Sequence, residues 1–204
     1  LALEGKRVFA YGIVSHLTGR GYEQIKLDVC SMGLPVVLLG VGGGLSYGAD
    51  GPTHHATQDL AVMGAIPNLT IYNPADGVTA SAAVHMAYRS GGPTYIRFDR
   101  EPQDPIYDVG QDFAAGLATV AAGGDVTVFT TGIFVSRAIA IAQELAGEGL
   151  SVRVVDCFRF KPLNRKLIQE LIQESRAVVT LEEHSSVGGL GGMIAELIAL
   201  SGAG

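Results

Sequence analysis

Apolar residues recur along the chain in two alternating textures. Short unbroken runs predict strands buried on both faces, and longer segments with apolar residues three or four apart predict amphipathic helices. Lys6–Gly12 reads as a first strand. Ser15–Met32 reads as a helix, with Leu17, Ile25, Val29 and Met32 near helical spacing and Gly33 as its stop. Val36–Val41 is a pure apolar run, as a parallel strand should be. Gly42 to Thr53 is rich in glycine and contains Pro52, which predicts a loop. A helix over His55–Ala65 follows, then a short strand over Leu69–Tyr72. Asp76 caps a helix running to about Ser90, and Thr94–Phe98 is another strand.

The texture changes at Asp99. From there to Gln111 the chain holds two prolines and many charges, which predicts a linker. Beyond it the alternation resumes. Strands are expected over Leu117–Ala121, Asp125–Thr130, Ser151–Asp156 and Ala177–Leu181. Helices are expected over Phe134–Glu148 and Asn164–Glu174, and a glycine-rich turn from Gly188 to Gly192 leads into a last helix. Strand and helix alternate throughout, so the fold class is α/β, with two three-layer α/β domains and mainly parallel sheets. The domains are expected at residues 1–100 and 117–204, with 101–116 as linker. Ligands of open parallel sheets bind beyond the carboxyl ends of the strands. The loop from Gly42 to His54 follows such a strand and is the first place to look for function.

Composition narrows the classes. Hydrophobic residues make up 48% of 204, which argues against disorder. A net charge of −6, with no run of Lys or Arg, argues against a nucleic-acid surface. Cys30 and Cys157 lie far apart in apolar settings, as small buried hydrophobes in a reducing cytoplasm would. No apolar run is long enough to span a bilayer, and no cleavable leader is evident. The chain begins with Leu1 rather than Met, and is expected to be a piece of a longer polypeptide or a trimmed one.

Several loops could carry chemistry. The dinucleotide fingerprint fails, because Leu45 and Tyr47 stand where glycine or alanine is required. The second rich loop, Gly188 to Gly192, fails it too, and no Walker-type Gly-Lys-Ser/Thr occurs. Gly44-Leu-Ser-Tyr-Gly48 matches a hydrolase nucleophile elbow, with Ser46 as nucleophile and His184 as a partner. An elbow needs an immediate strand–turn–helix junction, however, and Pro52 with two more glycines keeps the chain loop-like. Asp50, His54 and His55 suit proton handling or hydrogen bonding to hydroxyls; alternatively Asp50 and Thr53 only shape the turn and cap a helix at His55. Arg97 and Arg100, at the end of a strand, could clamp a phosphate or carboxylate, or pair on the surface with Asp99 or Glu101. Glu182, Glu183 and His184 read as helix or interface polarity, and His85 as a packed helix residue.

The loop Gly48-Ala-Asp-Gly-Pro-Thr-His54 resembles that of transketolases and of 1-deoxyxylulose-5-phosphate synthases. Tyr22-Glu-Gln-Ile, Ile66-Pro-Asn-Leu, Pro74-Ala-Asp-Gly77, Gly92-Pro-Thr-Tyr-Ile-Arg97, Lys161-Pro-Leu-Asn-Arg165 and Glu182-Glu-His-Ser-Ser-Val-Gly-Gly-Leu-Gly191 are similar to transketolase segments in the same order. The resemblance covers nearly the whole chain. It implies a partial thiamin-diphosphate pyrimidine-binding domain followed by a transketolase C-terminal domain. It also implies that Asp50 bonds a substrate hydroxyl and that His54 meets substrate and cofactor. Tyr22 and His16 would line the cofactor's pyrimidine pocket, and Arg100 would grip a sugar phosphate.

The implied reaction moves a two-carbon ketol unit between sugar phosphates. The implied cofactors are thiamin diphosphate and Mg2+ or Ca2+, the metal being held by a diphosphate-binding domain or N-terminal subunit rather than by this chain. The implied assembly is a homodimer or heterotetramer. A pyruvate-using synthase and an inactive interaction protein are the alternatives. Three departures from the family stand out. His16 and Gly19 replace aromatic residues, Gly42 replaces a phosphate-binding histidine, and the family's activating glutamate, expected upstream of Leu1, has no counterpart here.

Overall fold

In a computed structural model residues 1–201 are described. They form two sheets. The first runs β1 (Val8–Ile13), β2 (Val36–Val41), β4 (Thr94–Phe98), β3 (Thr70–Tyr72) and β8 (Arg159–Lys161) in spatial order. The second runs β5 (Ala118–Ala121), β7 (Val152–Asp156), β6 (Val126–Thr130) and β9 (Ala177–Leu181). Every pairing is parallel except β3 with β8 and β5 with β7, the mainly parallel α/β arrangement expected. The central strands are the continuous apolar runs: Val37, Leu38, Tyr95 and Ile96 are all buried.

The helix expected over residues 15–32 is broken. A π-helical turn, His16–Arg20, precedes a single α-helical turn, α1 (Tyr22–Gln24), and a second π-helical segment, Ile25–Cys30. Gly19 and Gly21 are poor helix formers, and a side chain at Gly21 would begin 2.8 Å from the Leu17 carbonyl oxygen. Wide turns of this kind cluster at functional sites. A second difference follows the glycine loop. The residues from His55 to Gln58 are not helical, because Ala56 and Gly44 exchange backbone hydrogen bonds of 2.8 and 3.1 Å. Those groups are then unavailable to a helix, so α2 spans only Asp59–Gly64.

The remaining helices follow the pattern: α3 (Gly77–Ser90), α4 (Phe134–Gly147), α5 (Arg165–Gln173) and α6 (Leu190–Ser201). Asp76 caps α3 in a capping box with Thr79. Strand β8 is the element the sequence pattern does not show. It lies along β3 and so adds a residue run from beyond the linker to the first sheet. Lys161, its last residue, donates to the Gly64 and Ile66 carbonyls at the end of α2. The main apolar cluster is likewise shared, joining Ile25, Leu38 and Ile71 to Phe129, Val155 and Leu190. No helix among the described residues is long and apolar enough to cross a membrane.

Candidate active site

The Gly42–Ala56 loop leaves the carboxyl end of β2 and is fastened at its base. Gly42 and Gly43 N–H both donate to the Phe98 carbonyl at the end of β4 (2.9 and 3.3 Å), and the Gly44–Ala56 bridge closes the neck. Glycine is required here by packing. A Cβ at Gly43 would overlap the Arg97 guanidinium, and one at Gly44 the Glu183 carboxylate. Within the loop, Gly48–Asp50 forms a 3-10 turn, and His54 N–H donates to the Gly51 carbonyl at 3.0 Å.

The fold gathers four side chains into a row. The His16 and His54 rings stand 4.9 Å apart at 57°. The Tyr47 ring also lies 5.7 Å from His54. The Arg100 guanidinium lies over Tyr47, 5.1 Å from the ring centre. Ser15 tethers the first π-helical turn to the loop by donating to the Thr53 carbonyl at 3.0 Å. Thr53 hydroxyl and His54 Nδ1 are 2.9 Å apart, which steadies that imidazole. His54 Nε2 and both nitrogens of His16 have no protein partner among the described residues. Both rings are half-buried, so they present hydrogen-bonding edges to a partly dry surface.

The other nominated residues fall as follows. Asp50 is exposed at the turn, with its carboxylate unpaired among the described residues. Tyr22 is half-buried and packs on the main core, in the α-helical turn that follows the His16 segment. His55 Nε2 lies 3.3 Å from the Gly48 carbonyl, so that nitrogen carries the proton and the ring braces the turn. Ser46 donates to the Gly43 carbonyl at 2.8 Å. His184 is held elsewhere: Nδ1 donates to the Ser185 carbonyl (2.8 Å), and Nε2 accepts from Ala61 N–H (3.4 Å). Ser46 and His184 are thus bonded elsewhere and form no pair among the described residues, so the elbow reading has no geometry behind it. Tyr47 is the row member that sequence reasoning did not nominate. It is an aromatic in a glycine loop, and it entered only as a mismatch to a phosphate-loop fingerprint.

Behind the loop lies a buried polar knot. Arg97 is 2% exposed and pairs with Asp59, which is 1% exposed, at 3.0 Å. Tyr95 hydroxyl donates to the same carboxylate oxygen at 2.8 Å, and Arg97 also donates to the Glu183 carbonyl at 3.1 Å. Burial alone would depress the Arg97 pKa, but Asp59, Tyr95 and Asp99 outweigh it and hold the guanidinium charged. Burial, with Asp59 beside it, raises the Tyr95 pKa well above its ordinary value. Arg97 is therefore a structural cation beneath the loop rather than a surface ion pair. Glu182 has a structural task too, accepting from Leu190 and Gly191 N–H at the start of α6 (2.7 and 2.8 Å). Among the described residues no cluster of three His, Cys, Asp or Glu side chains could hold a metal ion.

Residues 1–103 match the family described as transketolase, pyrimidine binding domain, and residues 116–203 match transketolase, C-terminal domain. A 6-deoxy-6-sulfo-D-fructose transketolase subunit of a Clostridium species is 35% identical over 97% of this chain and 62% of its own. An apulose-4-phosphate transketolase subunit of Phocaeicola vulgatus is 33% identical over 98% of this chain and 64% of its own. A solved split-gene transketolase, described as an inactive beta4 tetramer, has a TM-score of 0.90 at 34% identity, covering 98% of this chain and 64% of that one. The chain thus spans just under two thirds of each of these relatives. The family and its pyrimidine domain imply thiamin diphosphate as cofactor. With the paired sheets, the loop beyond β2 and both matched regions in order, the chain belongs to the transketolase family.

Proposed function

We propose that this chain contributes one wall of a thiamin-diphosphate site, and that the whole protein transfers a two-carbon ketol unit between sugar phosphates. The observation that carries the reading is the His16–His54 pair beyond the carboxyl ends of β1 and β2, where His54 Nε2 and both His16 nitrogens are unpartnered among the described residues. Those imidazoles fit an amino-heteroaromatic or a row of sugar hydroxyls, because each can donate or accept according to tautomer. The cofactor, when bound, supplies the electron sink for carbon–carbon cleavage. The protein residues hold and orient. His54, steadied by the Thr53 hydroxyl, exchanges a proton with a sugar oxygen from Nε2. Asp50, free at the turn, accepts a hydrogen bond from a sugar hydroxyl. His16 and Tyr22 border the cofactor's ring, and Arg100 meets the phosphate.

The diphosphate and its Mg2+ or Ca2+ are assigned to a partner domain or N-terminal subunit. The names of the relatives support an assembly of unlike subunits, and the heterotetramer is the form we favour. The experiment combines the full-length protein with its diphosphate-domain partner and thiamin diphosphate, and follows ketol transfer between sugar phosphates. Wild type should turn over, and Asp50→Ala and His54→Ala should each lose about 100-fold or more in kcat/KM. An active assembly indifferent to both substitutions would overturn the site. Activity with pyruvate, but not with a ketose donor, would move the assignment to the synthase branch.

A further inference from the structure

We propose that Tyr47 is a positioning residue that holds Arg100 in place as a clamp for the terminal phosphate of a sugar substrate, and that Gly42 is glycine in order to admit its ring. This rests on the ketol-transfer reading. Three observations lead here. Gly42 has φ 82°, a left-handed conformation, and a Cβ there would overlap the edge of the Tyr47 ring. The tyrosine thus fills the volume that a side chain at position 42 would take, and the two residues act as one unit. Second, Arg100 is exposed, yet among the described residues it makes no hydrogen bond and no ion pair. It lies instead over the Tyr47 face, 5.1 Å from the ring centre. Third, the Tyr47 ring neighbours both that guanidinium and His54, so one phenol ring links the proton-handling group to the cationic one.

The physics favours an anion at that end. A guanidinium held over a ring face keeps its place while its N–H groups stay open, which suits charge-assisted bonds to a tetrahedral oxyanion. The ring contact also limits rotamer freedom before the ligand arrives, so less is lost on binding. The chain's net charge of −6 gives no general attraction for a sugar phosphate, so a local, ordered cation must supply it. Arg97 cannot serve, because it is buried against Asp59.

The test uses the full-length protein assembled with its diphosphate-domain partner and thiamin diphosphate. Calorimetry compares ribose 5-phosphate with ribose on wild type, Tyr47→Phe and Tyr47→Leu, with thermal melts confirming that all three are folded. Ribose 5-phosphate should bind wild type and Tyr47→Phe alike, and Tyr47→Leu about three- to tenfold more weakly. Ribose should not distinguish the three. In turnover the Tyr47→Leu loss should fall more on KM for a phosphorylated acceptor than on kcat, and Tyr47→Phe should restore it. Equal ribose 5-phosphate binding by Tyr47→Leu and wild type, or a loss shared equally by ribose, would overturn the proposal. Transfer is measured in parallel with phosphorylated and with unphosphorylated substrates. Its absence alongside Tyr47-dependent phosphate binding removes the reaction class and leaves the clamp. Its presence without phosphate selectivity removes the clamp and leaves the reaction class.

Discussion

The Asp156 carboxyl, at the end of β7, is fully enclosed and accepts a hydrogen bond from the Tyr107 hydroxyl at 2.8 Å. Burial, reinforced by Asp76, lifts its pKa from 3.8 to about 8, against the lowering pull of Tyr107. The folded chain therefore keeps a proton that the unfolded chain gives up near pH 4, and its stability falls as pH rises from about 4 to about 8. The slope from this one residue should approach about 1.4 kcal/mol per pH unit at its steepest. Asp156→Asn has no proton to lose and should flatten it. Urea titrations at pH 5, 6, 7 and 8 check this; parallel curves for variant and wild type would show that Asp156 ionises as an ordinary aspartate. The same contrast of environments separates Arg97 from Arg100. The two were equivalent candidates in the sequence, three residues apart on one strand end, and burial makes the first a strut and leaves the second free to bind. Nothing local to either residue carries that distinction, because it depends on Asp59 and Glu183 arriving from other elements.

At the scale of elements, Asp76 is the clearest case of one side chain holding two. Its Oδ1 accepts from Thr79 N–H at 2.8 Å and caps α3, while Oδ2 accepts from Ile106 and Tyr107 N–H at 2.8 and 3.0 Å. Burial would raise its pKa, but these donors outweigh it and hold the carboxyl below the ordinary range. Asp76→Ala should cost about 2–4 kcal/mol, the sum of a lost cap and bonds to a charged acceptor. It should also speed hydrogen exchange at the Ile106 and Tyr107 amides; protection unchanged there would show that the linker is fixed by something else. The cap was legible because Asp before an apolar helical period is a local signal. Strands β2 and β4 were legible for the same reason, as unbroken apolar runs. Strand β8 was not, because Arg-Phe-Lys is three residues long and becomes a strand only by pairing with β3. The break in the first helix is not legible because its apolar spacing is nearly helical, and the crowding that a side chain at Gly21 would meet at the Leu17 carbonyl exists only in the folded turn. At the site, glycine, proline and histidine mark the loop, but the His16–His54 approach and the Tyr47–Arg100 contact exist only once β1, β2 and β4 lie side by side.

Over the whole molecule, the linker divides the chain in sequence, while strand β8 and the apolar core join what it divides. Phe129 and Leu190, both 0% exposed, belong to the same cluster as Leu38 and Ile71. Each such side chain contributes roughly 1.5–3 kcal/mol by leaving water, and the cluster members before position 112 depend on partners beyond the linker. A fragment of residues 1–112 would also lose the β8 partner of β3 and the Lys161 cap on α2. The two matched regions should therefore not unfold independently. We expect one calorimetric transition for the intact chain, with the ratio of van't Hoff to calorimetric enthalpy near one. The 1–112 fragment should lack a cooperative melt and bind a hydrophobic dye. Two separable transitions in the intact chain, or a fragment that melts as sharply as the whole, would show that each sheet carries a sufficient core of its own. In the joined arrangement the loop bearing Asp50 and His54 is braced from below by Arg97 and, through the Glu183 carbonyl, by the segment after β9. A fragment without that segment should lose the braced loop together with its stability.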